Sequence, residues 1–217
     1  MERNDRNTDQ NFETELKQHA DAGNRQKIDQ IPKNGYINGH EWVDLGLSVK
    51  WATCNVGASS STNYGNYFSW GETRPKKKYV DSSCSSFFDH DLYAHQDAAT
   101  TNRGAPWRMP TVTEIQELIN YCTWTWMTQD GVNGFKVTSN KVGYKDQYIF
   151  LPAAGLRSMS HLYEVGEFGY YWSSSPNPRR DFSDQAKSLW IFFGEHVISK
   201  VMVNSKEDGL TIRPVTR

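Results

Sequence analysis

Cysteine is scarce in this chain: Cys54, Cys84 and Cys122 are the three present among 217 residues. An odd count excludes a fully paired disulfide framework and leaves room for one bridge plus one thiol, its pairing open. No two of them form a CxxC pair, which argues against a structural zinc site. Long apolar runs are absent too, and none approaches the roughly 20 residues that a membrane-crossing helix needs. The polar stretch from Met1 to Gln30 lacks the apolar centre of a secretory leader, so the chain either stays in the cytoplasm or is the processed form of an exported one. Neither sign of charge dominates: 24 Lys and Arg against 25 Asp and Glu give a formal net charge of -1. That balance gives no reason to expect nucleic acid or an anionic membrane surface as a partner. The phosphate, dinucleotide, nucleophile-elbow and zinc-protease signatures (P-loop, GxGxxG, GxSxG, HExxH) are all missing, so no catalytic residue and no cofactor is expected.

Aromatic residues are plentiful instead, with 8 Trp, 11 Tyr and 10 Phe making up 13% of the chain. Residues 1–34 read as a polar, flexible arm with few apolar anchors and, at most, a short helix over Phe12–Ala22. Pro32-Lys33-Asn34-Gly35 marks a break, and residues 35–217 read as one domain. Trp42–Leu47 and Val49–Ala52 suggest two short strands or one bent hairpin, and Asn63–Trp70 a packed loop. A short helix is expected over Asp97–Thr101, closing near Gly104. The strongest helix signal follows Trp107-Arg108-Met109-Pro110. Thr111 and Glu114 form a capping box, and Ile115, Leu118, Ile119 and Cys122 fall on one stripe. Thr123–Trp126 alternates with period two and favours a strand. Phe135–Thr138, Tyr148–Leu151, Tyr170–Ser173, Ser188–Phe193, Val197–Val203 and Thr211–Val215 are further strand candidates. Two short helices and many late strands point to an α+β fold with a mostly antiparallel sheet region.

Several segments carry a family resemblance: Val43–Leu47 running into Lys50-Trp51-Ala52-Thr53-Cys54-Asn55-Val56-Gly57-Ala58, Tyr67-Phe68-Ser69-Trp70-Gly71-Glu72-Thr73, Trp107–Thr111, Gly169-Tyr170-Tyr171-Trp172-Ser173-Ser174 and Gly209–Val215. Together, over roughly residues 40–217, the chain resembles the Fibrobacter succinogenes major paralogous domain family, which is similar to the C-type-lectin-like variable proteins of diversity-generating retroelements. The resemblance implies a C-type-lectin-like fold and a non-catalytic binding domain at the cell surface. Formylglycine-generating enzymes are similar in fold but rely on late cysteines, and none follows Cys122 here. Ser175-Pro176-Asn177-Pro178 lacks the acid of the Glu-Pro-Asn calcium loop of sugar-binding lectins.

Trp51, Trp70, Trp107 and Trp172, set among small residues, read as core anchors whose indole N–H groups need buried acceptors. Arg108 and Arg213 read as loop-holding residues that bond carbonyls or carboxylates. The candidate binding surface lies later. Alternation puts Leu189, Ile191 and Phe193 on one strand face and Ser188, Trp190 and Phe192 on the other. In the relatives this outward stretch carries Asn. An outward Trp and Phe make an apolar patch, and such patches mark binding surfaces. Either His196 or Val197 joins that face, and Arg179 and Arg180 line its edge. The expected ligand is a glycan or a protein, with Trp190→Ala abolishing binding while the fold survives. One alternative is a structural or assembly module whose aromatic face packs on another subunit. Another is a metal-dependent enzyme using the Asp89–Asp97 loop with His90, Asp91 and His95, which a flexible polar loop explains as well.

Overall fold

The computed structural model describes residues 32–80, 90–193 and 197–217. The helix considered over Phe12–Ala22 lies outside them, as do Cys84, Asp89 and His196. The chain divides into two compact units, Met1–Lys33 and Asn34–Arg217, and the second is described below.

In chain order its elements are β1 (Asn34–Ile37), β2 (His40–Val43), β3 (Lys50–Ala52), α1 (Ala98–Arg103), α2 (Val112–Tyr121), β4 (Cys122–Gln129), β5 (Val132–Ser139), β6 (Tyr148–Pro152), β7 (Leu156–Ser158), β8 (His161–Tyr163), β9 (Phe168–Pro176), a 3-10 turn at Arg180–Phe182, β10 (Gln185–Phe193), β11 (Val197–Ser205) and β12 (Val215–Thr216). They form an antiparallel sheet β1-β2-β3-β12, two three-stranded antiparallel sheets, β4-β5-β6 and β11-β10-β9, and the hairpin β7-β8. The fold is α+β with mostly antiparallel sheets.

Local chemistry accounts for the main elements. Asn38 and Gly39 at φ 51° and 77°, and Asp130 and Gly131 at φ 50° and 79°, turn β1 into β2 and β4 into β5. Asn-Gly and Asp-Gly tolerate this left-handed backbone, which suits two-residue hairpins. Helix α1 begins where the Asp97 carboxylate accepts the Thr100 N–H at 2.9 Å, and it ends at Gly104. Helix α2 carries the expected capping box. Thr111 Oγ1 accepts the Glu114 N–H at 3.3 Å, and the Glu114 carboxylate accepts the Thr111 N–H at 2.8 Å. Ile115, Leu118 and Cys122 are buried and Ile119 partly so, as the stripe required.

Arg108 also donates to both Glu114 oxygens and to the Met109 carbonyl. Burial pushes the Glu114 carboxyl up, but the bonds from Arg108 and the Thr111 N–H outweigh it and hold the acid below its ordinary value. A depressed acid lends stability that is present above its unfolded-state pKa and is lost as the pH falls through the folded-state one. Glu114→Gln should therefore cost about 1–2 kcal/mol near neutral pH. Its loss should shrink as the pH is taken from neutral to below about 4. Urea unfolding of wild type and variant across that range checks this; a pH-independent gap would mean the carboxylate charge contributes nothing.

Two apolar clusters flank the β11-β10-β9 sheet. One gathers Val43, Leu45, Trp51, Ile115, Leu118, Phe135, Leu151, Tyr171, Leu189 and Ile191 among others. The other gathers Phe68, Trp70, Met109, Tyr170, Trp172, Ala186, Leu210 and Ile212, with Phe168 and Trp190 packed at its margin. Trp51, Trp70, Trp107 and Trp172 are all fully buried, as anchors should be. Three of the indoles find carbonyl acceptors: Trp70 bonds Ser173, Trp107 bonds Ile37 and Trp172 bonds Phe68, at 2.8, 3.0 and 2.7 Å. Trp51 departs from the expectation, because its N–H has no acceptor among the described residues.

Arg213 is the deepest polar side chain, 1% exposed. It donates to the carbonyls of Ala52, Thr53 and Phe150 and to Asn55 Oδ1 at 2.7–3.1 Å, tying the exit of β3 to β6. Residues 209–213 differ from the strand expected over Thr211–Val215. They run through isolated bridges at Gly209, Leu210 and Thr211, and regular pairing begins only at Val215. Pro214 has no N–H to give to a ladder, and regular pairing resumes after it at Val215.

Candidate functional site

The face of β10 that the alternation singled out is a graded surface. Trp190 pairs with Tyr170 on β9 and Lys200 on β11, and Phe192 pairs with Phe168. Leu189 and Ile191 face the first cluster, as expected. The opposite face looks into the second cluster and opens to solvent only in part.

Ser188 is a correction to the outward stripe. It is 0% exposed, and its hydroxyl donates to Asn204 Oδ1 at 2.7 Å. A bulge between Ala186 and Ser188 and the packed loops over Trp172 seal this end. Trp190 is half-buried. Its indole N–H is shared between Asn204 Oδ1 at 2.6 Å and Ser188 Oγ at 3.0 Å, and its ring meets Tyr170 edge-on at 5.2 Å. Phe192 is half-buried and stacks on Phe168 at 5.0 Å between centroids. Phe168 in turn lies parallel to Tyr170 at 6.0 Å.

The result is a continuous aromatic stripe, Trp190-Tyr170-Phe168-Phe192, with polar atoms already engaged inside the protein. The Tyr170 hydroxyl donates to the Glu164 carboxylate, and burial with that bond raises the phenol well above its ordinary pKa. The groups left to a ligand are ring faces and edges. Fixed rings lose little conformational freedom on binding, which favours apolar stacking.

Arg179 and Arg180 lie in sequence before the Gln185 end of β10. They sit in the β9–β10 connection beyond Gln185, while Phe192 lies at the far end of the strand. Five residues of strand between Gln185 and Trp190 put about 17 Å between the two regions. The neighbours of the stripe come instead from the β7-β8 hairpin and the turn after it, where Glu164 contacts Tyr170. Tyr163 and Val165 are 47% and 38% exposed beside that glutamate. No strand was expected there, although Met159-Ser160 between short alternating runs is a weak turn signal. Val197 pairs with Phe193 in the backbone register. His196 lies outside the described residues.

The His and carboxylate loop is taken apart by structural duties. Asp97 caps α1 and also accepts the Met109 N–H at 2.8 Å. Asp91 accepts from the Ser175 hydroxyl, and His95 stacks on Tyr93. Among the described residues no three His, Cys, Asp or Glu side chains converge as metal ligands. Cys54 and Cys122 are free thiols. Burial pushes the Cys122 thiol up to about 12, which makes it unreactive. No helix among the described residues is long and apolar enough to cross a membrane.

Compared with known proteins, the chain matches no family model, no curated protein and no solved structure.

Proposed function

We propose that the chain is a non-catalytic, surface-displayed binding module of C-type-lectin-like kind that holds a glycan or protein ligand against the Trp190–Phe192 stripe. The observation that carries this reading is the partly exposed set of rings Trp190, Phe168 and Phe192, braced on the buried Tyr170 across β9 and β10. Trp190, Phe168 and Phe192 keep solvent-facing area around the buried Tyr170, and such braced rings suit the apolar side of a sugar ring or an apolar side chain. The motifs shared with the major paralogous domains support both the fold and the extracellular placement.

Phe192 is the residue on which to test it. Its ring stacks on Phe168 and carries no polar bond, so Phe192→Ser removes ligand area with little structural cost. Screening the full chain on glycan and protein arrays should yield a ligand, and Phe192→Ser should weaken it at least about tenfold, or roughly 1.4 kcal/mol. The assembly reading predicts something else: light scattering would show an oligomer that Phe192→Ser dissociates. A monomer with no ligand on either array would sink the proposal.

A further inference from the structure

A second surface, sharing no residue with the aromatic stripe, begins from an imbalance of buried charge. Arg103 and Arg213 are 6% and 1% exposed; burial lowers the affinity of each guanidinium for its proton, and the nearby Arg213 charge lowers that of Arg103 further. Neither bonds a carboxylate among the described residues. Arg213 is satisfied by carbonyls and Asn55. Arg103 is bonded in part: Nη2 donates to the Cys54 and Asn55 carbonyls at 2.9 Å, and the buried Nε–H has no acceptor among the described residues. The Nε–H itself is closed to solvent, so a bound anion would offset the charge of the guanidinium rather than bond that atom.

Arg103 forms the end of a cleft of about 370 Å³, whose walls include His40, Glu41, Ser59 and Cys54. Cys54, Glu41, Ser59 and Thr53 also line a second cleft of about 380 Å³. The two are therefore one groove that continues past Ser60, Ser61, Gln129, Asp146 and Gln147. Its combined volume falls in the range of small-molecule sites. One end offers a guanidinium and an imidazole. Glu41 lines both clefts, and the remainder adds hydroxyls, amides, the Asp146 carboxylate and the apolar side chains of Val43, Ile149 and Phe150.

From this arrangement we infer that the groove binds a singly acidic sugar, with its carboxylate at Arg103 and His40 and its hydroxyls along Glu41, Ser59 and Gln129. The pattern excludes polyphosphates, because Glu41 and Asp146 oppose extra anionic groups. Val43, Ile149 and Phe150 in the wall suit the apolar face of a sugar ring, while the hydroxyls and amides suit its polar edge. This inference stands apart from the stripe and survives its failure.

Cys54 reports on occupancy because its half-buried thiol sits where the two clefts meet. The experiment alkylates the full chain with iodoacetamide and follows the Cys54 peptide by mass spectrometry. The probes are glucuronate, glucose, acetate and inorganic phosphate, each at about ten times a millimolar dissociation constant. Glucuronate should slow Cys54 labelling severalfold, while glucose, acetate and phosphate should not. Arg103→Gln should abolish the protection. Because Arg103 also braces two carbonyls, His40→Ala serves as the second variant; the His40 ring makes no hydrogen bond among the described residues, and its loss should weaken protection while leaving the melting temperature near that of the wild type. Equal protection by acetate or phosphate would reduce the groove to an anion notch and overturn the sugar assignment. No protection by glucuronate would overturn the inference entirely. Phe192→Ser should leave protection unchanged, and its loss in that variant would place the sugar on the stripe instead.

Discussion

Arg213→Met is expected to lower the unfolding free energy by about 4 kcal/mol or more, among the larger losses a single substitution can cause. Methionine fills most of the arginine's volume, so the loss comes from polar atoms rather than from a void. Four acceptors, the carbonyls of Ala52, Thr53 and Phe150 and the amide oxygen of Asn55, would be left in the interior with a donor removed. Each buried acceptor stripped of its partner costs about 1–3 kcal/mol. Against that sum stands the relief of a buried charge that has no carboxylate partner among the described residues, which is why the expected net is nearer 4 than 8 kcal/mol. Arg213→Lys should recover only part, because one ammonium cannot span acceptors that belong to β3, the loop after it and β6. Chemical unfolding and melting curves measure both. At about 2–4 °C per kcal/mol for a domain of this size, the methionine variant should melt at least about 8 °C lower. A drop of only a degree or two would show that water replaces the guanidinium at little cost.

Such a residue explains why some of the architecture was readable from sequence and some was not. Signals that act within one turn were plain. The Thr111–Glu114 box, the Ile115–Cys122 stripe and the Asp97 start of α1 involve neighbours in sequence, and each appears at its expected place. The tryptophan anchors were legible because a large ring among small residues has few other uses. Arg108 and Arg213 were legible as loop-holding residues, though not the partners they would choose. Asn38-Gly39 and Asp130-Gly131 carried a strong hairpin signal that the apolar pattern overshadowed, so β1 was missed and β5 was expected to begin at Phe135 rather than Val132.

Long-range packing hid the rest. Period-two alternation separates the two faces of β10 but does not say that both faces meet a cluster. The burial of Ser188 depends on Asn204, which is 16 positions away. The charge imbalance at Arg103 depends on Arg213, more than a hundred residues later, and on where Cys54 and Asn55 point their carbonyls. No local pattern encodes that meeting.

Trp190→Ala is expected to destabilise the fold by about 2–3 kcal/mol, contrary to the expectation from sequence that truncation would spare it. A fully buried Trp→Ala change costs about 3–5 kcal/mol, and Trp190 is only half-buried. What it loses is the edge-on contact with Tyr170 and the indole bonds to Asn204 and Ser188, with a cavity left beside the second cluster. Asn204 keeps the Ser188 hydroxyl as a donor, so no acceptor is orphaned and the loss stays below that of Arg213→Met. Trp190→Phe retains a ring on Tyr170 and drops only the N–H, for about 1 kcal/mol. The two variants separate stability from recognition. If the stripe binds by stacking, Trp190→Phe should keep most of the affinity while Trp190→Ala loses it, even at temperatures where both are folded. Melting curves beside binding isotherms read both quantities. Should Trp190→Ala melt like the wild type, the ring is not packed on Tyr170, and the internally braced surface on which stacking recognition rests does not exist.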